Sequence, residues 1–315
     1  MDSVTVDVQR GTAAGLALAL VSAASFGLSG PFAKALIDAG WSANGAVLVR
    51  LAGAAAVLAV LLAVLRPGVV AAIRHDGPAL LLYGLLATGG VQVAFFNAVR
   101  YLPVPVALLM EYTGPILVVG WVWLVRRRPP TGRTLAGGAI ALAGLALVVG
   151  VWDVDGIVWA GVTWGLFAAV CQASYFLLAD RADAGTPPLV LAGVGMAIGA
   201  ILVAVLGAVG VLPVVVDTAA SPVLLAGVDV GWFVTSALLI LVATVLAYVT
   251  GVMAVARIGA TRGSLVALLE VVATAVASWL LLAQVPTAVQ AAGGVLILAG
   301  VALTQAARPA AVAPP

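Results

Sequence analysis

Ten stretches of about 20 mainly apolar residues follow one another between Ala13 and Gln305, joined by short connections. They run over Ala13–Phe32, Asn44–Leu65, Ala79–Val99, Pro103–Val125, Thr134–Val151, Gly156–Ala179, Leu189–Gly210, Trp232–Ala254, Gly263–Ala283 and Thr287–Gln305. Each is long enough to cross the hydrocarbon core of a bilayer as a helix. The pattern predicts an all-α integral membrane protein with ten transmembrane helices. Composition agrees: hydrophobic residues make up 64% of the chain and charged residues 8%, against roughly 25% charged in soluble domains. The longest connection, Val211 to Gly231, has too few polar residues for a folded module. The leader MDSVTVDVQR carries Asp2 and Asp7 beside Arg10, and further apolar segments follow, so the first span is expected to be permanent.

Lysine and arginine fall unevenly around these segments. With the amino terminus inside, the inner connections hold Arg66, Arg74, Arg126, Arg127, Arg128, Arg133, Arg181, Arg257 and Arg262, and the chain ends add Arg10 and Arg308. The outer connections hold Lys34 and Arg100. Positive charge collects on the cytoplasmic side of short loops. Both termini are therefore expected to be cytoplasmic, in a cell (cytoplasmic or inner) membrane. The same bias accounts for a pI near 9.0 without a nucleic-acid partner. The single cysteine, Cys171, lies inside the sixth segment, so neither a disulfide framework nor a cysteine-based metal site is expected. Trp121, Trp123, Trp152 and Trp159 lie near segment ends and read as interfacial anchors. The only histidine, His75, reads as a solvated residue of the loop IRHDGP.

The chain also repeats itself at an offset of 156 residues. Ala98–Leu102 (AVRYL) then falls on Ala254–Ile258 (AVARI), and Pro130–Thr131 on Pro286–Thr287. Leu135–Leu147 falls on Ala291–Leu303 with glycines matched at 137/293, 138/294 and 144/300. Each half, residues 1–151 and 152–315, holds five segments, an odd number, so the halves run in opposite senses across the membrane. The connection VRRRPPTGR of the first half is basic, whereas its counterpart LAQVPTAVQ is uncharged. Inverted-topology repeats of this kind belong to secondary transporters, whose sites lie near the midplane where the halves meet.

Three charged side chains lie well inside the segments: Arg50 in the second, Glu111 in the fourth and Glu270 in the ninth. Ionised groups at that depth are costly and mark pathways or proton relays unless they pair. Helical spacing gathers Val104, Ala107, Gly114 and Val118 with Glu111, and places Leu109, Tyr112, Ile116 and Trp123 on the other side. The Glu270 face holds Gly263, Ala267, Ala273, Thr274 and Ala277. Small residues mark close packing or a cavity wall and bulky ones face lipid, so both carboxylates are expected to point inward. Pro115 has no N–H, and its ring meets the carbonyl of Glu111; with Gly114 adjacent, a kink is expected there. Irregular backbone at membrane depth is tolerated where it is buried in protein or lines a water-filled cavity. Gln92, Asn97, Trp164, Gln172, Tyr175 and Tyr248 offer neutral groups to complete a site, although each can equally be a helix–helix contact. An Arg50–Glu111 pair that merely locks two helices is the competing reading. The small-residue spacing Gly195–Gly199 suits packing within one chain or between chains, so the oligomeric state stays open.

The stretch LYGLLATGGVQVAFFNAVRYLPVPVALLMEYTGP resembles the first-half signature of EamA carriers in the drug/metabolite transporter superfamily. The acidic–aromatic–Thr–Gly–Pro pattern from Glu111 through Tyr112 to Pro115 is most like the threonine/homoserine exporter branch. CQASYFLLADRADAG and AYVTGVMAVARIGATRGSLVALLE agree in part. The resemblance implies two inverted five-helix EamA repeats around a central cavity, and proton-driven efflux of small metabolites, often amino acids. It implies roles for Glu111, Tyr248 and Arg50, and Tyr112 joins the candidates as the aromatic of the pattern. Val271 stands where the pattern has proline and Gln172 where it often has tryptophan, so substrate identity does not carry over.

The reading is a secondary transporter exporting a small zwitterionic metabolite, with Arg50 for a carboxylate and Glu111 for an ammonium or a proton. Its alternative is efflux of cationic or aromatic drug-like compounds by the same fold. An enzyme is disfavoured because one loop histidine and one cysteine leave little from which to build a catalytic set. No GxxxxGK[ST] loop is present for a self-contained ATP-driven pump. No cofactor or metal is expected.

Overall fold

The computed structural model describes residues 2–65, 68–98, 100–102, 104–150, 158–181, 186–219 and 222–306. The segment ends placed at Val99, Pro103, Val151 and Gly156, the junction at 151/152, and Trp152, Arg66 and Arg308 lie outside them, as does the side chain of Arg10. Among the described residues, ten helical spans are long and apolar enough to cross a membrane: Thr12–Asp38, Ala43–Leu65, Val69–Ala98, Val106–Leu124, Gly132–Val149, Trp159–Ala179, Pro188–Ala208, Gly231–Ile258, Ala260–Leu282 and Ala288–Gln305, numbered spans 1 to 10 below. Helices are what such a sequence must form, because hydrocarbon offers no partner for backbone N–H and C=O groups.

Boundaries differ from the sequence reading in one instructive place. Span 3 begins at Val69, ten residues before Ala79, so IRHDGP is helix and not loop. The helix bends there at Asp76 (φ −118°, ψ 21°), two residues before Pro78, as expected where a proline removes a backbone donor. His75 is solvated, with its side chain 79% exposed. The connection between spans 7 and 8 carries a small hairpin in which Leu224 pairs with Asp229 and Leu225 with Val228. Its tip, Ala226–Gly227, has positive φ at both residues, the geometry that turns two strands back on themselves. Trp121, Trp123 and Trp159 are exposed.

The repeat is visible in the backbone itself. Spans 5 and 10 each start from a threonine N-cap: Thr131 accepts from the N–H of Thr134, and Thr287 forms a capping box with Gln290. The two spans then cross in backbone contact. A Cβ added at Gly137 would lie 2.5 Å from Gly300 O, and one at Gly144 would lie 2.5 Å from Gly293 O. Moving each residue by the 156-residue offset converts the first pair into the second, which is the signature of an inverted two-fold. Two opposed five-helix repeats therefore form one ten-span body.

The same symmetry marks the irregular places. Span 4 is broken at Tyr112–Thr113, between helices Val104–Glu111 and Gly114–Leu124. Span 9 is broken at the matching Leu268, between Ala260–Ala267 and Leu269–Leu282. The first break has Pro115 in the opening turn of its second helix; the second has Val271 in the corresponding place. Both breaks are tightened by i→i−3 bonds: Thr113 N–H to Met110 O (3.1 Å) and Ile116 N–H to Thr113 O (2.8 Å) in span 4, and Leu268 N–H to Leu265 O (3.3 Å) and Val271 N–H to Leu268 O (3.2 Å) in span 9. Spans 3 and 8 also share a feature, a π-helical segment at Tyr83–Gly90 and at Leu241–Leu246.

Candidate functional site

Arg50 sits about a third of the way along span 2 and is buried, at 9% exposure. Its Nη1 donates to Ser29 Oγ of span 1 at 2.5 Å, while its Nε has no partner. Glu111 closes the first half of span 4, and Glu270 lies in the first turn after the break of span 9. The two carboxylates therefore occupy opposite ends of two broken helices, Glu111 at a C-terminus and Glu270 at an N-terminus. Glu111 interacts electrostatically with both Glu270 and Arg50, so the three charges form one group. No ion pair joins Arg50 to either glutamate among the described residues, where Lys34–Asp38, His75–Asp76 and Arg126–Asp180 are paired. The guanidinium is thus near the carboxylates without being locked to them.

These groups face a cavity of about 640 Å³, to which every span but the seventh contributes among the described residues. Arg50, Gln92, Glu111, Tyr112, Gln172, Tyr175, Tyr248 and Glu270 all line it. Gly114 and Pro115 are buried at the break beside Glu111. Asn97 is not brought to this cavity. Its Nδ2 donates to Val93 O at 2.8 Å, one turn back, and its side chain borders a separate depression with Asn44 and Arg100. Trp164 is also elsewhere, packed edge-to-face on Phe167.

Tyr112 corrects the helical-spacing reading. Spacing puts it on the lipid side with Ile116 and Trp123, both of which are 52% exposed, yet it is 7% exposed, lines the cavity and interacts with Glu270. An uninterrupted helical count fails because the helix ends at Glu111, and the break turns Tyr112 inward. Tyr248 stacks edge-on against Phe26 (4.8 Å between centroids) and Tyr175 (5.7 Å), making an aromatic wall beside the charges. Two polar atoms on this wall are buried without partners: the Tyr175 hydroxyl and Gln172 Oε1. Sequence reasoning missed Ser22, Phe26 and Ser29, whose spacing of four and then three residues puts them on one helical face. It also missed Gln290, although Thr287–x–x–Gln290 is a legible capping box.

The model of the EamA-like transporter family matches residues 13–150 and again 159–305, nearly the whole chain in two copies. The chain belongs to the EamA-like transporter family. The threonine/homoserine exporter RhtA of Salmonella typhimurium (strain SL1344) is 30% identical over 139 residues, which is 41% of this chain and 42% of that protein. The exporter of the same name from Escherichia coli (strain K12) is 29% identical over 138 residues, 41% of each chain. The match therefore spans less than half the length of these curated relatives. A crystal structure of another protein superposes with a TM-score of 0.68 at 20% identity, covering 91% of this chain and 96% of that one, and shares the fold.

In this EamA-family chain the two ends of the cavity differ in exposure among the described residues. Val148, Val149, Gln284, Val285 and Gln290 line its end where spans 9 and 10 are joined, and Gln284 and Val285 there are exposed. At the opposite end its lining residues Ala254, Val255 and Gly263 are buried. Beneath them, Asp180 at the end of span 6 pairs with Arg126 at the end of span 4 and accepts the Ala260 N–H at 3.0 Å from the start of span 9. One carboxylate thus ties three spans together across the closed end. Gly195 and Gly199, left open between two kinds of packing, face Tyr83 and Thr88 of span 3 in the same chain.

Proposed function

We propose that the chain is a secondary transporter that exports small zwitterionic metabolites, amino acids such as threonine or homoserine among them, by proton-coupled alternating access. The observation that carries this reading is the buried Arg50, close to two carboxylates and paired with neither. An arginine fork suits a substrate carboxylate, and Glu111 and Glu270 suit its ammonium. Two carboxylates against one guanidinium leave one negative charge unbalanced in a buried site when all are ionised. A proton neutralises it, because an isolated buried charge is costly. The names of the relatives point to the same substrate class. In this reading both termini are cytoplasmic, the membrane is the cytoplasmic (inner) one, and the halves 1–151 and 152–315 rock about the site without any covalent chemistry. Gln92, Tyr112, Gln172, Tyr175 and Tyr248 complete the substrate contacts.

The test is flux in proteoliposomes under an imposed pH gradient, with a panel of amino acids. Glu111→Gln should abolish acceleration by the gradient, and Arg50→Gln should abolish transport of zwitterions. Full gradient-dependent export by Glu111→Gln would refute the proton role. A second reading, efflux of cationic or aromatic drug-like compounds, is favoured by the excess of carboxylates and the Phe26–Tyr248–Tyr175 wall. It requires that Arg50→Gln still transport such cations while amino acids fail to compete.

A further inference from the structure

Spans 3 and 8 are interrupted at corresponding places, and each interruption holds one buried threonine. Thr88 and Thr244 are equivalent under the 156-residue offset, and both are fully buried. Thr88 Oγ1 lies 2.8 Å from Gly84 O on its own helix and 2.8 Å from Gly195 O on span 7, so its single O–H is shared between them. Thr244 Oγ1 donates to Leu239 O, five residues back, at 2.7 Å. Five residues is the π-helical spacing, and the Val91 N–H likewise reaches back five residues to Leu86 O. Gly199 lies directly against Thr88 and Gly89, which lets span 7 approach this widened turn.

A π segment accommodates one residue more than an α-helix does, and one residue is worth about 100° of helical phase. Everything downstream is turned accordingly. Two residues past each segment stand Gln92 and Tyr248, themselves equivalent under the offset, and both line the cavity. In an unbroken α-helix the downstream residues would advance by one place. Gln92 would take the position of Val93 and Tyr248 that of Val249, and these valines pack into the core instead of lining the cavity.

We propose that Thr88 and Thr244 are positioning residues: their hydroxyls hold the π segments that turn Gln92 and Tyr248 into the cavity. Neither threonine touches a substrate. The inference takes the cavity as the transport site from the reading above, but its test is independent of transport.

In a Cys171→Ala background, Gln92→Cys supplies one thiol facing the cavity, and a small maleimide reports its accessibility in the purified protein. Thr88→Val keeps the side-chain shape and removes the hydroxyl. It should slow labelling at position 92 by about tenfold or more, and Thr88→Ser should restore it. A thiol from Ala275→Cys, on the span 9 side of the same cavity, should label at an unchanged rate in Thr88→Val. Equal labelling of position 92 in the Val and Ser variants would overturn the proposal. If the Ala275→Cys control shows that Thr88→Val is misfolded, Thr244→Val with Tyr248→Cys is read in the same way: slowed labelling supports the proposal and unchanged labelling overturns it. Failure of the transport reading would appear separately, as absence of flux with the labelling pattern intact.

Discussion

The closed end of the cavity makes a quantitative prediction. Asp180 is 13% exposed and holds two partners, the guanidinium of Arg126, 30% exposed, and the backbone N–H of Ala260. A hydrogen bond to a charged group contributes about 1.5–3 kcal/mol, and a partly exposed ion pair adds at most about 1 kcal/mol. Asp180→Ala removes both and should cost the closed arrangement about 2–4 kcal/mol. At about 1.4 kcal/mol per factor of ten, its population relative to the open one should fall about 30- to 1,000-fold. Arg126→Ala removes only the ion pair, so its shift should stay within about fivefold. Asp180→Asn keeps an acceptor for Ala260 and should lie between them. The assay is labelling of Ala267→Cys, which lines the cavity, in a Cys171→Ala background. An impermeant thiol reagent is applied to vesicles from one side and then the other. The parent should label from the side of Gln284, and Asp180→Ala should gain labelling from the side of Arg126. If Asp180→Ala and Arg126→Ala behave alike, the Ala260 contact carries none of the closure and the reasoning fails.

Three further outcomes follow from the geometry. Gly144→Val or Gly300→Val drives side-chain carbon into the facing backbone at 2.5 Å and should destabilise the protein by about 1–3 kcal/mol, read as a lower melting temperature in detergent; Gly120→Ala, with open space around it, should stay within about 0.5 kcal/mol. Thr287→Ala loses the capping box of span 10 and should cost about 1 kcal/mol by the same measurement. Pro115→Ala should leave export in place, because span 9 breaks at the matching position without a proline; loss of transport with normal stability would show that the proline itself is required.

Much of this architecture was legible because membrane helices announce themselves by length and composition, and because the glycines matched at 137/293, 138/294 and 144/300 revealed the repeat. The inward turn of Glu111 and Glu270 followed from small residues on their faces. Tyr112 escaped because periodicity assumes an unbroken helix and this residue sits in the break itself, whereas beyond it Gly114 and Val118 are buried and Ile116 and Trp123 exposed as the spacing has them. The early start of span 3 is hidden for a related reason: Arg74, His75, Asp76 and Pro78 look like a loop, but a helix that emerges into the headgroup region can carry polar residues. Leu268 and the second π segment, LVATVL, left no such trace, since no glycine or proline punctuates them, and the glycines of the first, YGLLATGG, are read as packing residues as readily as a widened turn. Their cause lies in neighbouring spans, as with Gly195 and Gly199 against Thr88.

The crossing of spans 5 and 10 has a consequence for how the two halves are related. Gly137 meets Gly300 and Gly144 meets Gly293, so each half presents to the other the same patch that it receives. That is the rule of an isologous dimer contact, in which one surface is its own complement. The covalent link between the halves supplies proximity, whereas the fit resides in each half separately. The patch at the crossing of spans 5 and 10 is therefore present in each half before the two meet.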